Sequence, residues 1–460
     1  MVKKLTNSYP KVASFPLAVP LESFKAACLE WAAQFDPLAC YDSNSYKADR
    51  YGKYEALIGA GATDVFSLTE APGTFAQLKD WYEQAPNWAF GFLSYDLKND
   101  VEQLQSENSD GLAFPLIHFF RPIYVLEVYA DSVRIHSQAD APEQVLSQIL
   151  AFDQEPQYIP ASIQSIPNFQ AKISKKAYLE RVEKIRDHII AGDVYEMNFC
   201  QEFFAENVTI NPLTLFKRLN RVGAAPLSAY YRLQDQYLLS ASPERFIQKT
   251  GTQLISQPIK GTIRRGANEK EDHYLQSQLY YSEKDRAENI MIVDLVRNDL
   301  ARSCVPGTIR VEELFGIYTF QQVFQMISTV SGTLKPDVHF IDALKLAFPM
   351  GSMTGAPKIM SMQLIEAYEE SRRGLYSGAV GYITPDGDFD FNVVIRSLQY
   401  NAEKAYLSYQ VGGAIVFDSD PQAEYEECLL KAKGILSALG IQDNSSTSNP
   451  NKRRSSQKAG

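Results

Sequence analysis

Two pairs of acids stand three residues apart on segments that read as helices, Asp285 with Glu288 and Glu424 with Glu427. Three residues of helix return a side chain to the same face, so each pair presents two carboxylates together. Hard cations such as Mg²⁺ take oxygen ligands, commonly one or two protein carboxylates completed by substrate oxygens and water, and two facing pairs suit that. The same spacing is also common on solvated helix faces, so it leaves both readings open. Lys260, in Gln257-Pro258-Ile259-Lys260-Gly261-Thr262, follows Glu244 of Ser242-Pro243-Glu244-Arg245-Phe246 by sixteen residues and precedes Glu288 by 28. A lysine attacks only as the free amine, about one molecule in a few thousand at pH 7. Chemistry at Lys260 therefore requires burial or a nearby cation to lower its pKa, whereas a solvated surface lysine requires neither.

The elements that carry these residues have readable ends. Ser282 starts one acid helix in a capping-box pattern with Asp285, and Ala287, Ile290, Met291 and Leu295 carry it onward. Asp420 as N-cap and Pro421 at the first helical position start the other, with Lys431 four residues beyond Glu427. Thr354-Gly355-Ala356-Pro357 opens a helix through Met360, Leu364 and Ala367, whose free N–H groups and positive dipole end suit an anion. Gly412-Gly413, after the last strand, offers either backbone donors or a simple bend. Arg396 falls in a strand with alternating faces, pointing into a cleft or serving as a salt-bridge partner.

Further out, runs between 88 and 138 such as Trp88–Leu93 and Ile123–Tyr129 are aromatic and β-branched, which predicts a sheet-rich N-terminal third. Prolines 156, 160 and 167 mark a connection, and Ser174 caps a helix ending at Gly192 with Tyr178, Val182, Ile185 and Ile189 on one face. Residues 376–416 form three strands with a turn at Asp386-Gly387, expected as an antiparallel meander. The division is 1–165 as the N-terminal sheet-rich region, 166–442 as the catalytic region and 443–460 as a disordered tail without apolar periodicity.

Composition bounds the partners. A formal net charge of -10 across 460 residues argues against nucleic-acid or anionic-membrane surfaces. Five scattered cysteines without CxxC spacing suggest a reducing, cytoplasmic setting, and no run is long enough for a membrane helix. The five histidines show no metal-ligand spacing, and Cys200 lacks the surroundings of an amidotransferase nucleophile.

The segments SPERF, PIKGT, DRAENIMIVDLVRNDL, GSMTGAPK, VVIRSL and GGAIVFDSDPQAEYEE, strung over roughly residues 175–440, resemble the chorismate-utilising enzymes. That resemblance implies an α+β fold like anthranilate synthase component I, two large antiparallel sheets flanked by helices with the active site between them. It implies Mg²⁺ held directly by Glu288 and Glu427, with Asp285 and Glu424 on its waters. It makes Arg396 the grip on a chorismate carboxylate, and Gly261, Thr262, Thr354, Tyr376, Gly412, Gly413 and Lys431 further substrate contacts. Ala414 and Met350 stand where the family more often has glycine.

Within the family, lysine between PI and GT resembles aminodeoxychorismate synthase component I, where alanine would resemble anthranilate synthase component I. Glu244 is then the general acid that protonates the departing ring hydroxyl, and Lys260 the nucleophile at ring carbon 2 before ammonia enters at carbon 4. A separate glutamine amidotransferase subunit is implied as the ammonia source, and a separate lyase for making 4-aminobenzoate. Isochorismate and salicylate synthases carry a lysine where this chain has Glu196. A non-catalytic chorismate-binding regulatory subunit would have lost Glu244, Lys260, Glu288 or Glu427, and all four are present.

Overall fold

A computed structural model describes residues 10–152 and 167–441, so the connection at Pro156 and Pro160 and the tail from Asp443 lie outside the described residues. Every ladder between named strands is antiparallel. One sheet runs from Lys11–Pro16 through Ser132–Ser137, Ile117–Val128, Ala56–Leu68, Leu38–Asp42 and Leu227–Leu233. It continues through Gln236–Ser242, Ser397–Asn401 and Tyr406–Ile415 to Glu196–Ala205. The second leaves the first half of Ile117–Val128 through Ala89–Leu93, Ala379–Ile383, Phe389–Val393, Arg245–Thr250 and Gln253–Gln257. It ends on Val323–Thr333, which also takes Ile259–Arg264 and Arg310–Thr319. Two large antiparallel sheets therefore share one long strand. Pro122 is tolerated inside that strand because it pairs with Ala62 beside a register shift, where no ladder donor is required.

Helices cover the outer faces. Leu21–Ala32, Pro142–Leu150, Pro212–Gly223 and Pro421–Leu439 bury Phe24, Trp31, Val145, Leu219 and Ile435 against the first sheet. Thr74–Gln84, Glu283–Ala301 and Phe340–Ala347 bury Phe75, Val296 and Leu344 against the second. A third apolar cluster, with Leu57, Phe90, Phe120, Tyr231, Val380 and Val394, fills the space between the sheets. The helix starts follow the sequence: the side chains of Ser174, Ser282 and Asp420 accept from the N–H groups of Ala177, Asp285 and Ala423, and Gly192 ends its helix in the left-handed conformation. All five cysteines are buried and free, and among the described residues no helix is long and apolar enough to cross a membrane.

The expected meander is not what forms. Phe389–Val393 pairs with Ala379–Ile383, but Ser397–Asn401 belongs to the other sheet. Between them Arg396 has φ 54° and the N–H of Ile395 turns back to the carbonyl of Val393. A non-glycine residue in the left-handed region ends a strand, so Arg396 sits at a crossing rather than inside a strand. The chain makes a matching crossing earlier, where Gln236–Ser242 of the first sheet leads through Pro243 and Glu244 into Arg245–Thr250 of the second. The two crossings are tied together: Val393 N–H donates to Glu244 O at 3.0 Å and Ala241 N–H to Arg396 O at 3.3 Å.

Arg245 anchors the first crossing. Its guanidinium, 3% exposed, donates to Asp390 at 2.9 and 3.2 Å, to Asp49 at 2.7 and 3.0 Å, and to Gln257. Removing one partner of a buried charge network costs far more than the pair contributes, because the remaining charge loses its compensation. Asp390→Ala is expected to lower unfolding free energy by about 3 kcal/mol. Denaturant titration checks this, and a loss below about 1 kcal/mol, as for a surface pair, would show that Arg245 does not anchor the strand.

Candidate active site at the seam between the sheets

Lys260 lies in Ile259–Arg264 with only 8% of its surface exposed. Its ammonium is 3.0 Å from Oε1 of Glu196, the first residue of Glu196–Ala205, which is 1% exposed. Burial is the largest single influence on Lys260 and pulls its pKa down, but the charges of Glu196, Glu288 and Glu244 together hold it above the usual lysine value. The expected depressed pKa is therefore absent: burial is supplied, but three carboxylates outweigh it.

Glu244 is 4% exposed, and burial pushes its pKa up to about 7, against a hydrogen bond from Ser352, the charge of Lys260 and the Ile259 N–H. Its position at the crossing accounts for the burial, because the backbone on either side is committed to two different sheets.

The acid helices do face one another. Lys284 Nζ lies 3.8 Å from Glu288 Oε1 on its own helix and 3.8 Å from Glu424 Oε1 on the other, so one cation already sits between the two sets. Burial raises Glu288 to about 7, opposed by Lys260 and Lys284. Glu424 is also raised by burial and accepts from Ser419 at 2.7 Å. Glu427, 47% exposed at its side chain, is lowered first by Lys431, 2.8 Å away. Asp285 packs against Gly261, where an added Cβ would come within 3.0 Å of its carboxylate. Gly261 adopts φ 91°, a conformation glycine allows at little cost. Among the described residues no three Asp, Glu, His or Cys side chains converge as a self-sufficient metal cage. The donor set fits Mg²⁺ held by few protein carboxylates together with a ligand and water.

The remaining predicted contacts surround this centre. Lys431 also donates to Gly412 O at 2.8 Å, and a Cβ on Gly413 would lie 3.3 Å from Glu424 Oε2 and 3.4 Å from Lys431 Nζ. Both glycines lie within Tyr406–Ile415 rather than after it, and a Cβ on Gly412 would meet Phe199 O at 2.2 Å, so close strand contact requires glycine there. Arg396 donates to Lys431 O at 2.9 Å and has no carboxylate within ion-pair distance among the described residues, and burial lowers its pKa. A desolvated guanidinium without an acid partner is suited to an incoming anion. Tyr376 is buried with its hydroxyl 3.4 Å from Cys200 Sγ.

Two predicted contacts are placed differently from expectation. Thr354 is fully buried and its hydroxyl bonds back to Met350 O and Gly351 O, so its polar groups hold the turn. Gly355–Ala356 pairs with Glu196–Met197 as a short strand, and the helix begins only at Lys358. Thr262 is exposed on the strand that carries Lys260. Arg373 fixes this region, donating to Glu369 at 2.7 and 2.9 Å, Asn198 O at 3.0 Å and Met353 O at 2.6 Å. Glu196 itself was not singled out as a site residue from sequence. The available signal was an acid opening the otherwise apolar-rich EMNFCQEFFA, since a buried carboxylate requires a partner.

A family model described as chorismate binding enzyme matches residues 35–437. The chain is 33% identical over 366 residues to aminodeoxychorismate synthase component 1 of Bacillus subtilis, covering 77% of each chain. It is 34% identical over 359 residues to anthranilate synthase component 1 of Thermus thermophilus, covering 76% of each. Among solved structures, anthranilate synthase component I from Streptococcus pneumoniae superposes with a TM-score of 0.72 at 26% identity, over 85% of this chain and 95% of that one.

The raised Glu244 pKa has a measurable consequence. The folded protein holds this proton more tightly than the unfolded chain, so the contribution is complete below the unfolded value and lost as pH rises through about 7. Relative to the native chain, Glu244→Gln is expected to gain stability between pH 4.5 and pH 8, on the order of 3 kcal/mol. Urea midpoints at the two pH values check it, and a pH-independent difference would show that Glu244 titrates normally.

Proposed function

The chain belongs to the chorismate binding enzymes, and from that premise we propose that it is an aminodeoxychorismate synthase component 1. It replaces the ring hydroxyl of chorismate with an amine, using ammonia from a separate glutaminase subunit in a reducing cytoplasmic setting on the way to 4-aminobenzoate and folate. The observation that carries this reading is Lys260, buried and 3.0 Å from Glu196 at the seam that also holds the protonated-range Glu244. Overall identity does not separate the two closest activities, at 33% and 34% to one relative of each kind. The side chain at 260 does, because an alanine there has no nucleophile to offer.

In this reading Arg396 and the backbone around Gly412–Gly413 hold the anionic substrate, with its ring between Glu244 and Lys260. Glu288 and Glu427 would hold Mg²⁺ directly, with Asp285 and Glu424 on its waters. Bound there, the ion would supply positive charge against a substrate carboxylate and would offset the charge of Glu288. The free amine of Lys260 forms a bond to ring carbon 2 while the carbon 4–oxygen bond breaks and Glu244 gives its proton to the leaving oxygen, releasing water. Ammonia then bonds to carbon 4 as the carbon 2–nitrogen bond breaks, returning Lys260, and Glu244 recovers a proton from the new ammonium group. Atoms and charge close over the cycle.

With chorismate, Mg²⁺ and an ammonium salt, the purified chain is expected to form aminodeoxychorismate, identified by mass and chromatography, while glutamine alone gives none. Lys260→Ala should abolish that product, and unchanged turnover in this variant would sink the nucleophile assignment. Anthranilate as the native product would instead select the rival synthase.

Glu288→Gln and Glu427→Gln are each expected to raise the Mg²⁺ concentration for half-maximal rate at least about tenfold, since each removes a charged oxygen from a site with few protein ligands. Magnesium titration of the rate checks this. A variant with the native titration curve would not have lost a ligand.

A further inference from the structure

Glu196 uses only half of its carboxylate. Oε1 is 3.0 Å from Lys260 Nζ, while Oε2 is buried and has no hydrogen-bond partner. A buried acceptor left without a donor is costly, and most such atoms are completed by protein, water or ligand. Whatever completes this one must donate, which excludes the substrate's carboxylates. It must also be small, because Glu196 is only 1% exposed and Lys260 only 8%.

We infer that Glu196 Oε2 is the docking acceptor for the ammonia that enters the reaction, so that one carboxylate holds both the departing and the arriving nitrogen. This inference rests on the synthase reading given above. Oε1 shows the chemistry this group selects, a nitrogen carrying several N–H donors. Oε2 belongs to the same rigid carboxylate, so a donor on it lies beside Lys260 Nζ. Ring carbons 2 and 4 are separated by a single ring carbon, and the arriving nitrogen must be near the lysine that it replaces. Ammonia donating one N–H to Oε2 keeps its lone pair free for carbon 4, so binding does not consume the electrons that form the new bond. The charged acceptor retains a molecule too small to be held by shape.

The test measures initial rates of aminodeoxychorismate formation by the full chain, varying ammonium at saturating chorismate and chorismate at saturating ammonium, at one pH. E196Q, nearly identical in shape but uncharged, is expected to raise the KM for ammonium about tenfold, the loss of roughly one charge-assisted hydrogen bond. E196A should raise it further. The KM for chorismate should stay within about twofold in both. A lower kcat or higher chorismate KM with unchanged ammonium KM would mean that Glu196 only positions Lys260, and overturns the inference alone. A native chain that forms no aminodeoxychorismate overturns the inference and the synthase reading together. Circular dichroism and chorismate binding confirm that each variant is folded, and if E196A is not, E196Q decides.

Discussion

Two crossings of the chain between sheets govern the site. Ser242 to Arg245 and Val393 to Ser397 leave one sheet and enter the other, and hydrogen bonds from Val393 to Glu244 and from Ala241 to Arg396 fasten them together. Backbone at such a seam cannot shift without disturbing ladders on both sides. Glu244 and Arg396 are consequently held by two sheets at once, and their side chains point from a position that solvent does not reach freely. Arg245, next in sequence, turns the opposite way into Asp49 and Asp390 and fixes the direction of its neighbour.

Charge at the seam is deliberately unbalanced. Lys260 faces Glu196, Glu288 and Glu244, and burial, the largest cause in each, moves Glu288 and Glu244 to about 7. Buried ions of this kind are a poor source of stability, since desolvation consumes most of their attraction. Their value lies in poise: carboxyl groups near 7 exchange a proton at neutral pH, and an added cation or anion shifts the whole set. The acid helices extend the same logic outward, where Lys284 lies between Glu288 and Glu424 and Lys431 pairs with Glu427.

Local signals were legible in the sequence where one residue decides the outcome. The caps at Ser174, Ser282 and Asp420 and the αL glycine at 192 all act within a turn of themselves, and the structure places them as read. The acid pairs were legible as helix faces, and the motif string indicated that they converge. What remained hidden depended on long-range pairing. Phe389 to Asn401 has the alternation of a single strand, and nothing local announces that Arg396 takes φ 54° and sends its two halves to different sheets. Gly412 and Gly413 looked like an end because glycine weakens strands, but both lie inside one, and the close approach of Phe199 O requires glycine at 412. The charge on Lys260 was misjudged for the same reason: burial could be inferred, whereas the three carboxylates gathered from separate elements could not.

Positions 196 and 260 are therefore not independent. The resemblance treats the residue between PI and GT as the one that separates activities, but in the fold that residue has a partner 3.0 Å away. Two ammonium groups at such a distance in a buried site would repel by several kcal/mol even at an effective dielectric of 20. A lysine at 196, as the resemblance gives for isochorismate and salicylate synthases, is thus incompatible with a protonated lysine at 260. With Glu196 present, Lys260 has an acid to neutralise it in the resting state.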